Sequence, residues 1–443
     1  METALVWFRD DLRVSDNPAL QDAITTGKPV NAIYVLDDVS PGVRPLGSAT
    51  RWWLHHSLTS LKTDLKRFGV NLILGSGSPL RVLPEVAKET GATSVHWNRR
   101  YGAAREIDAE LKRTLPDAKS HSANLLHEPW RHLTGSGTPF QVFTPFWKAF
   151  LAGPPPRQPF ESPTAIVGDS RTKSYSIDSL NLLPKLAWAN RFNEVWSPGE
   201  MAAQKRLAEF IENGLPKYDQ RDHPGVEATS GLSPHLRFGE ISPSQIWWSI
   251  QDRDTSTNSA KFLSELGWRE FSYHQLFHNP KLATENLRKN FDNFPWQPVN
   301  EDLLSAWKKG ETGFSLVDAG MKQLWIHGTM HNRVRMVAAS FLVKNLGQDW
   351  RIGEQWFWDT LVDADEASNP ASWQWVAGSG ADAAPYFRIF NPELQADRFD
   401  PDKAYRNRWL GESESVTPII DLSESRARAL ADYAIMKGER QNE

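Results

Sequence analysis

MHNRVRMVAASFLVKNLGQDW, residues 330–350, decides how this chain is read. Met336, Ala339, Phe341 and Val343 mark the apolar side of a helix predicted over 330–346. Asn332, Arg333, Arg335 and Met336 fall within two turns, so cationic and amide groups share a surface with a soft thioether. Arginines so close to apolar residues need acidic partners. LVDADEASNPASWQW (361–375) offers Asp363 and Asp365, and it also carries Asn369, Trp373 and Trp375. A metal held by Asp363, Asp365 and His331 is a poor match to this pattern, because hard-cation loops use more carboxylates at regular offsets. No metal is expected there.

Outward from this stretch, ELGWRE (265–270) places Glu265, Trp268 and Arg269 at i, i+3 and i+4, on one side of a helix predicted over 261–278. Two accounts fit: a surface Glu–Arg pair over a packed indole, or an aromatic platform flanked by charges that holds a flat polar ligand. YDQRDHPGVEATSGLS (218–233) sets Thr229, Ser230 and Ser233 around Gly231 just before a helix. Such hydroxyls and free N–H groups suit phosphate oxygens, and equally make a plain N-cap. Helices are also predicted over 201–213 and 312–325, with one short helical pattern near the C-terminus.

The first 130 residues differ. Short apolar runs at 5–8, 29–36, 71–75 and 94–98 alternate with helical patterns, one built on Leu54, Leu58, Leu61 and Leu65 and stopped at Gly69, another over 101–115. Alternation of this kind implies a parallel sheet covered on both faces. Neither G-x-G-x-x-G nor G-x-x-x-x-G-K-[ST] comes after the first strand, so the usual phosphate loops are missing. The expected organisation is a Rossmann-like α/β domain over 1–130, an irregular or extended connector over 131–197 containing Pro154, Pro155 and Pro156, and an all-α domain over 198–443.

Composition narrows the function. Cysteine is absent, which excludes disulfides, thiolate zinc sites, iron–sulfur clusters and a cysteine nucleophile. No apolar run approaches the roughly 20 residues that span a bilayer. Arg9, Asp10, Asp11 and Arg13 interrupt what a signal peptide would need, so a cytoplasmic location is expected. The net charge of −4 gives no global basic field, and DNA would have to be met by a local patch. There are 20 tryptophans against 8 tyrosines, an excess that suits packing but also stacking on flat ligands or carrying electrons.

TSGLS (229–233), ELGWREF (265–271), TGFSLVDAGMKQL (312–324), the stretch 330–350 and NPASWQWVAGSGADAAPYFRIFNP (369–392) occur in the order seen in the photolyase/cryptochrome flavoproteins. VWFRDDLR (6–13) resembles that family's first strand. The resemblance runs from about residue 4 to residue 410 and is greatest to the bacterial photolyases that split cyclobutane pyrimidine dimers. It implies FAD in the helical domain, which accounts for the missing phosphate loop.

By this resemblance Tyr218, Thr229, Ser230, Gly231, Leu232 and Ser233 hold the phosphate side of FAD. Arg335 and Asp363 pair beside the isoalloxazine, where the cation favours the reduced anionic flavin. Arg269, Ala364 and Asp365 complete that pocket, with Asp365 on the ribityl or adenine side, and Asn369 lies near flavin N5. Glu265, Trp268, Asn332, Met336 and Trp375 receive the flipped-out dimer, Glu265 and Asn369 being counted as catalytic. Arg221, Arg333 and Gln395 meet the DNA backbone, with Arg388, Arg398, Lys403, Arg406 and Arg408 as a basic cluster, half of it solvated surface. Trp373, Trp350 and Trp296 form an electron-transfer chain from flavin to surface, with Trp307 a rival for the outermost place.

The implied activity is light-driven repair of dimers in DNA by a monomeric enzyme. The alternatives are a cryptochrome-like blue-light receptor, which the dimer pocket and the short stretch after Gln395 disfavour, a flavin-independent nucleotide-binding protein, and an enzyme for the (6-4) photoproduct. Relatives of that last kind carry histidines where this chain has Asn332 and Met336. An antenna chromophore, methenyltetrahydrofolate or deazaflavin, is common in the family. YGAARE (101–106) and KLATEN (281–286) match neither the Glu nor the Lys that holds the folate.

Overall fold

TALVWF is apolar along almost its whole length, which suits a strand buried on both faces at the centre of a parallel sheet. In the computed structural model, which describes all residues except 170, 172, 174, 185–186, 384–386, 412–415 and 439–443, that is its position. The strands are β1 (Thr3–Phe8), β2 (Val30–Leu36), β3 (Leu72–Ser76), β4 (Ala92–Asn98) and β5 (Ala118–His121). They form one parallel sheet in the order β3-β2-β1-β4-β5. One face packs Val6, Phe8, Trp53 and Leu58 together, and the other packs Leu5, Trp7, Trp97 and Leu111.

Two elements escaped the sequence reading. β5 is a short edge strand, AKSH, with no β-branched residue to announce it. The helix Pro18–Thr25 did carry its signals, since Pro18 opens it and Asn17 Oδ1 accepts from the Leu20 N–H at 3.1 Å.

The expectation of an irregular connector over 131–197 is corrected. Phe143–Ala152 is an α-helix that buries Phe143, Phe146 and Phe150, and Phe146 packs on Phe271 of the helix Thr257–His278 with ring centres 5.1 Å apart. Gly267 makes this approach possible, because a Cβ there would lie 2.5 Å from the Trp147 ring. The three prolines come just after this helix, so they set where it stops rather than the character of the whole segment.

Among the described residues the chain after 198 contains helices and no strand of the sheet. Three expected spans shift. The 201–213 pattern is an α-helix over Glu200–Glu209 continued by a wider π turn over Phe210–Gly214. The 330–346 pattern is Asn332–Ser340 continued by a π segment over Phe341–Asn345, closed by the Leu346 N–H on the Phe341 carbonyl at 2.9 Å. The 312–325 helix begins later, at Ser315, because the Asp318 carboxylate captures the N–H groups of Thr312 and Gly313 at 2.8 and 3.0 Å and holds them in a turn. Of the motif over 369–392, residues 384–386 lie outside the described residues. No described helix is long and apolar enough to cross a membrane.

Candidate functional site

The helices Thr257–His278, Asn332–Ser340 and Ser368–Ala377, with the turn before Ser368, enclose a cavity of about 550 Å³ in the helical part of the chain. That size falls in the range of small-molecule and cofactor sites. The periodicity of the sequence explains the convergence. Glu265, Trp268 and Arg269 share a helix face turned inward, and Asn332, Arg333, Arg335 and Met336 come in from the opposite wall.

The inner wall is built on Asp363. Its Oδ2 accepts from Arg335 Nη2 at 2.9 Å and from Ser233 Oγ at 2.6 Å, while Arg335 Nε donates to the Met330 carbonyl at 2.6 Å. Asp363 Oδ1 is buried and finds no hydrogen-bond partner among the described residues. It is an acceptor awaiting a donor. Asp365 Oδ1 takes the N–H groups of Ala367 and Ser368 at 2.9 and 2.6 Å, and its Oδ2 takes the Tyr273 hydroxyl at 2.5 Å. Asn369 Nδ2 donates to the Glu354 carbonyl at 3.1 Å and to Glu354 Oε1 at 2.8 Å. With its nitrogen committed, the amide oxygen is the group Asn369 can offer to a ligand.

Tyr218, Ser230, Leu232 and Ser233 also line the cavity. Thr229 is exposed and Gly231 lies beside it, turning the chain at φ 62°, and neither is among the lining residues. Ala364 lines the wall and gives its carbonyl to Arg237 Nε at 2.8 Å. Arg269 also lines it, donating to the Asn124 carbonyl at 2.8 Å with its guanidinium 4.8 Å from the Tyr273 ring centre.

At the mouth, Trp268 stacks on Phe143 at 3.9 Å and 11°, which fixes the plane of the indole. Arg221 pairs with Glu265 at 2.7 Å and Arg333 with Asp222 at 3.0 Å. Burial raises the Glu265 carboxyl above its ordinary pKa, with Arg221 working in the opposite direction. Arg333 lies over the Phe399 ring at 4.3 Å, and Arg398 flanks the same ring at 5.0 Å. Met336, Asn332 and Trp375 complete the rim, with Arg388 5.8 Å from the Trp375 ring. Gln395 stands on the helix Pro392–Phe399, not among the lining residues, with a buried side-chain oxygen that has no partner among the described residues.

One sequence reading needs correction. Arg406 is not available to a ligand: it bonds Asp400 Oδ2 at 3.0 Å and the Asp400 carbonyl at 2.7 Å. Asp363 Oδ2 and both Asp365 oxygens have partners in the protein, and His331 Nδ1 accepts the Arg333 N–H at 3.2 Å; among the described residues the three side chains do not meet as one ligand set.

Trp373 lines the cavity and lies tight on the helix Trp350–Thr360, where a Cβ on Gly353 would sit 2.1 Å from its ring. Its ring is edge-on to Phe357 at 4.9 Å and to Trp307 at 6.4 Å. Trp350 is fully buried with its N–H on Asn286 Oδ1 at 2.9 Å. Trp296 is half-buried beside Phe294, whereas Trp307 is fully buried and does not reach solvent.

Several residues of this site were missed. Glu354 ties Asn369 to Arg44, whose guanidinium makes two bonds to its carboxylate at 2.7 and 2.8 Å and thereby joins the α/β domain to the cavity wall. Arg237 joins the same two parts, bonding Asp10 Oδ1 at 2.7 Å. Burial opposes its charge, but Asp10, Tyr273 and Asp365 hold it firmly protonated. A lone Glu inside RIGEQWFW was the available signal for Glu354. Nothing local announces Phe143.

Residues 4–164 match the family model described as DNA photolyase, and residues 262–419 match the FAD binding domain of DNA photolyase. The chain is 46% identical over 98% of both chains to a deoxyribodipyrimidine photo-lyase of Agrobacterium fabrum. It is 36% identical over 92% of its length to Cryptochrome-1 of Arabidopsis thaliana, covering 63% of that protein. A crystal structure of a bacterial class III photolyase from Agrobacterium tumefaciens superposes with a TM-score of 0.93 at 44% identity, covering 99% of this chain and 98% of that one.

Proposed function

The chain belongs to the DNA photolyase family, and we propose that it is a deoxyribodipyrimidine photo-lyase, splitting cyclobutane pyrimidine dimers in DNA under light with FAD as its cofactor. One observation carries the reading. A single cavity joins a charged inner wall with an unpartnered buried acceptor to a mouth of indoles, a thioether and paired arginines. The inner wall fits FAD: Asp363 Oδ1 lacks a donor, Arg335 supplies a cation, and Tyr218, Ser230, Leu232 and Ser233 lie on the side expected to take the phosphates. Bound and reduced, FAD would supply the light-excited electron that opens the cyclobutane ring.

The chain's own residues do the rest. Arg335, held by Asp363 and the Met330 carbonyl, would stabilise negative charge on the cofactor without reorganising. Asn369, pinned through Glu354, would present its oxygen to a ligand N–H. Trp268, backed by Phe143, would stack on a pyrimidine face, with Met336 and Trp375 closing the apolar sides. Glu265 and Asn332 would read imide and carbonyl edges. Arg221 and Arg333 would exchange their carboxylate partners for DNA phosphates, which also offsets the few kcal/mol that extrusion of the dimer costs. Trp373, Trp350 and Trp296 would carry electrons inward to oxidised FAD.

The test is illumination of the reduced protein on an oligonucleotide containing one dimer, with thymine recovery measured against a dark control and a (6-4) substrate. Recovery from the dimer alone is expected. No recovery by flavin-loaded protein overturns repair and favours a photoreceptor, the second reading, which the likeness to Cryptochrome-1 supports. An antenna of folate or deazaflavin type belongs to the proposal and would add its own absorption band. So do a monomeric state, checked by light scattering, and residence in the bacterial cytoplasm on the nucleoid.

A further inference from the structure

Far along the sequence from the cavity residues, three side chains of the α/β domain converge. Asp22 comes from the helix Pro18–Thr25, His96 from the interior of β4 and His121 from the end of the edge strand β5. Asp22 Oδ2 lies 2.9 Å from His96 Nδ1 and 3.6 Å from His121 Nε2, and the three atoms all fall within 4.8 Å of one another. Among the described residues none of these three atoms has an aligned hydrogen bond, although each is shielded from solvent. His96 is fully buried.

Three such atoms in a packed region, whose contacts among the described residues are ion pairs with one another and with Lys119, are an arrangement that native proteins rarely leave without a further partner. From the geometry we propose that Asp22, His96 and His121 form a binding site for a divalent transition-metal ion, zinc in the first instance. Zinc takes imidazole nitrogen and carboxylate oxygen at about 2.0–2.2 Å in a tetrahedron, which sets neighbouring ligand atoms about 3.3 Å apart. The separations of 2.9 and 3.6 Å bracket that value. The outer contacts suit it as well. His96 Nε2 is bonded to Ser94 Oγ at 2.9 Å, which orients the ring and leaves Nδ1 turned to the site. Lys119 Nζ stands 3.6 Å from Asp22 Oδ2 and 3.4 Å from Asp117, so it can pass to Asp117 when a metal takes its place. Three protein ligands leave a fourth position for water. The ion would clamp a helix and an otherwise weak edge strand to the sheet, a structural role independent of the flavin.

Full-length, tag-free protein is stripped with a chelator and titrated with Co²⁺, then Zn²⁺, while the cobalt d–d bands and the melting temperature are recorded. One equivalent of cobalt with tetrahedral bands, displaced by zinc, is expected, with a zinc-dependent rise in Tm. Affinity falls at least tenfold in Asp22→Asn and in His121→Ala, and tightens in Lys119→Ala. His121 is at the sheet edge and Asp22→Asn keeps the side-chain shape, so both variants fold, which flavin content and circular dichroism verify. A wild-type protein that takes up no stoichiometric metal overturns the proposal, as does either ligand variant binding zinc as tightly as the wild type.

Discussion

The inner wall and the mouth of the cavity both use arginine–carboxylate pairs, but they hold them differently. Inside, Asp363 accepts from Arg335 and Ser233 together, and Arg335 is tied again to the Met330 carbonyl. At the mouth, Arg221 and Arg333 each have one carboxylate partner, and those partners, Glu265 and Asp222, are 34% and 35% exposed where Asp363 is 4% exposed. A network with several bonds per group keeps its shape without a ligand, which is what stabilisation of charge requires. Single pairs in partial solvent are worth little and can be exchanged, as binding to phosphate requires. Rigidity lies where the electron would start, and exchangeability where DNA would arrive.

The comparison breaks first if the inner pair is dispensable. Arg335→Ala leaves Asp363 buried without its cation, a loss of about 3–5 kcal/mol for a wholly buried pair and less here because Arg335 keeps 26% of its side chain exposed. Flavin retained after purification should fall more than tenfold by absorbance ratio, and retention at the wild-type level would sink the assignment. Trp373→Phe should abolish photoreduction of oxidised flavin while sparing repair by pre-reduced protein, and Trp307→Phe, at a ring that is itself fully buried, should have the smaller effect. At the mouth, Trp268→Ala should weaken binding of dimer DNA by about 1–3 kcal/mol with flavin unchanged, measured by fluorescence anisotropy. Arg221→Ala and Arg333→Ala should each lower the slope of log affinity against log salt by roughly 1, alike on damaged and undamaged DNA.

The smallest effect concerns pH. Glu270, five residues beyond Glu265 on the same helix, is fully buried and accepts from the N–H groups of Leu126 and His127 at 2.9 and 3.3 Å. Burial pushes its pKa to about 8 from 4.5, with Arg269 opposing. The folded protein therefore holds a proton that the unfolded chain releases between those values. Stability from this group is fully present below pH 4.5 and declines as pH rises to about 8. Glu270→Gln should flatten that slope in denaturant midpoints, and an unchanged slope would place the titration elsewhere.

Much of the site was legible because helical spacing is local. Glu265, Trp268 and Arg269, or Asn332, Arg333, Arg335 and Met336, share a face whatever the rest of the chain does. The choice between platform and surface pair was not legible, because it turns on Phe143, 125 residues before Trp268 and folded into a segment whose prolines suggested no helix. The Arg44–Glu354–Asn369 relay was hidden for the same reason, since each member looks ordinary alone.

By itself the sequence determined the alternation that makes a parallel sheet, the helical character of the C-terminal half and the residue types each helix turns inward, because periodicity and turn chemistry act within a few residues. Only tertiary structure decided which carboxylate each arginine takes, which indole stacks on which ring, and that Asp22, His96 and His121 meet at one point. Those outcomes depend on distances between segments far apart in the chain, which are set by packing of the whole and not by any local preference.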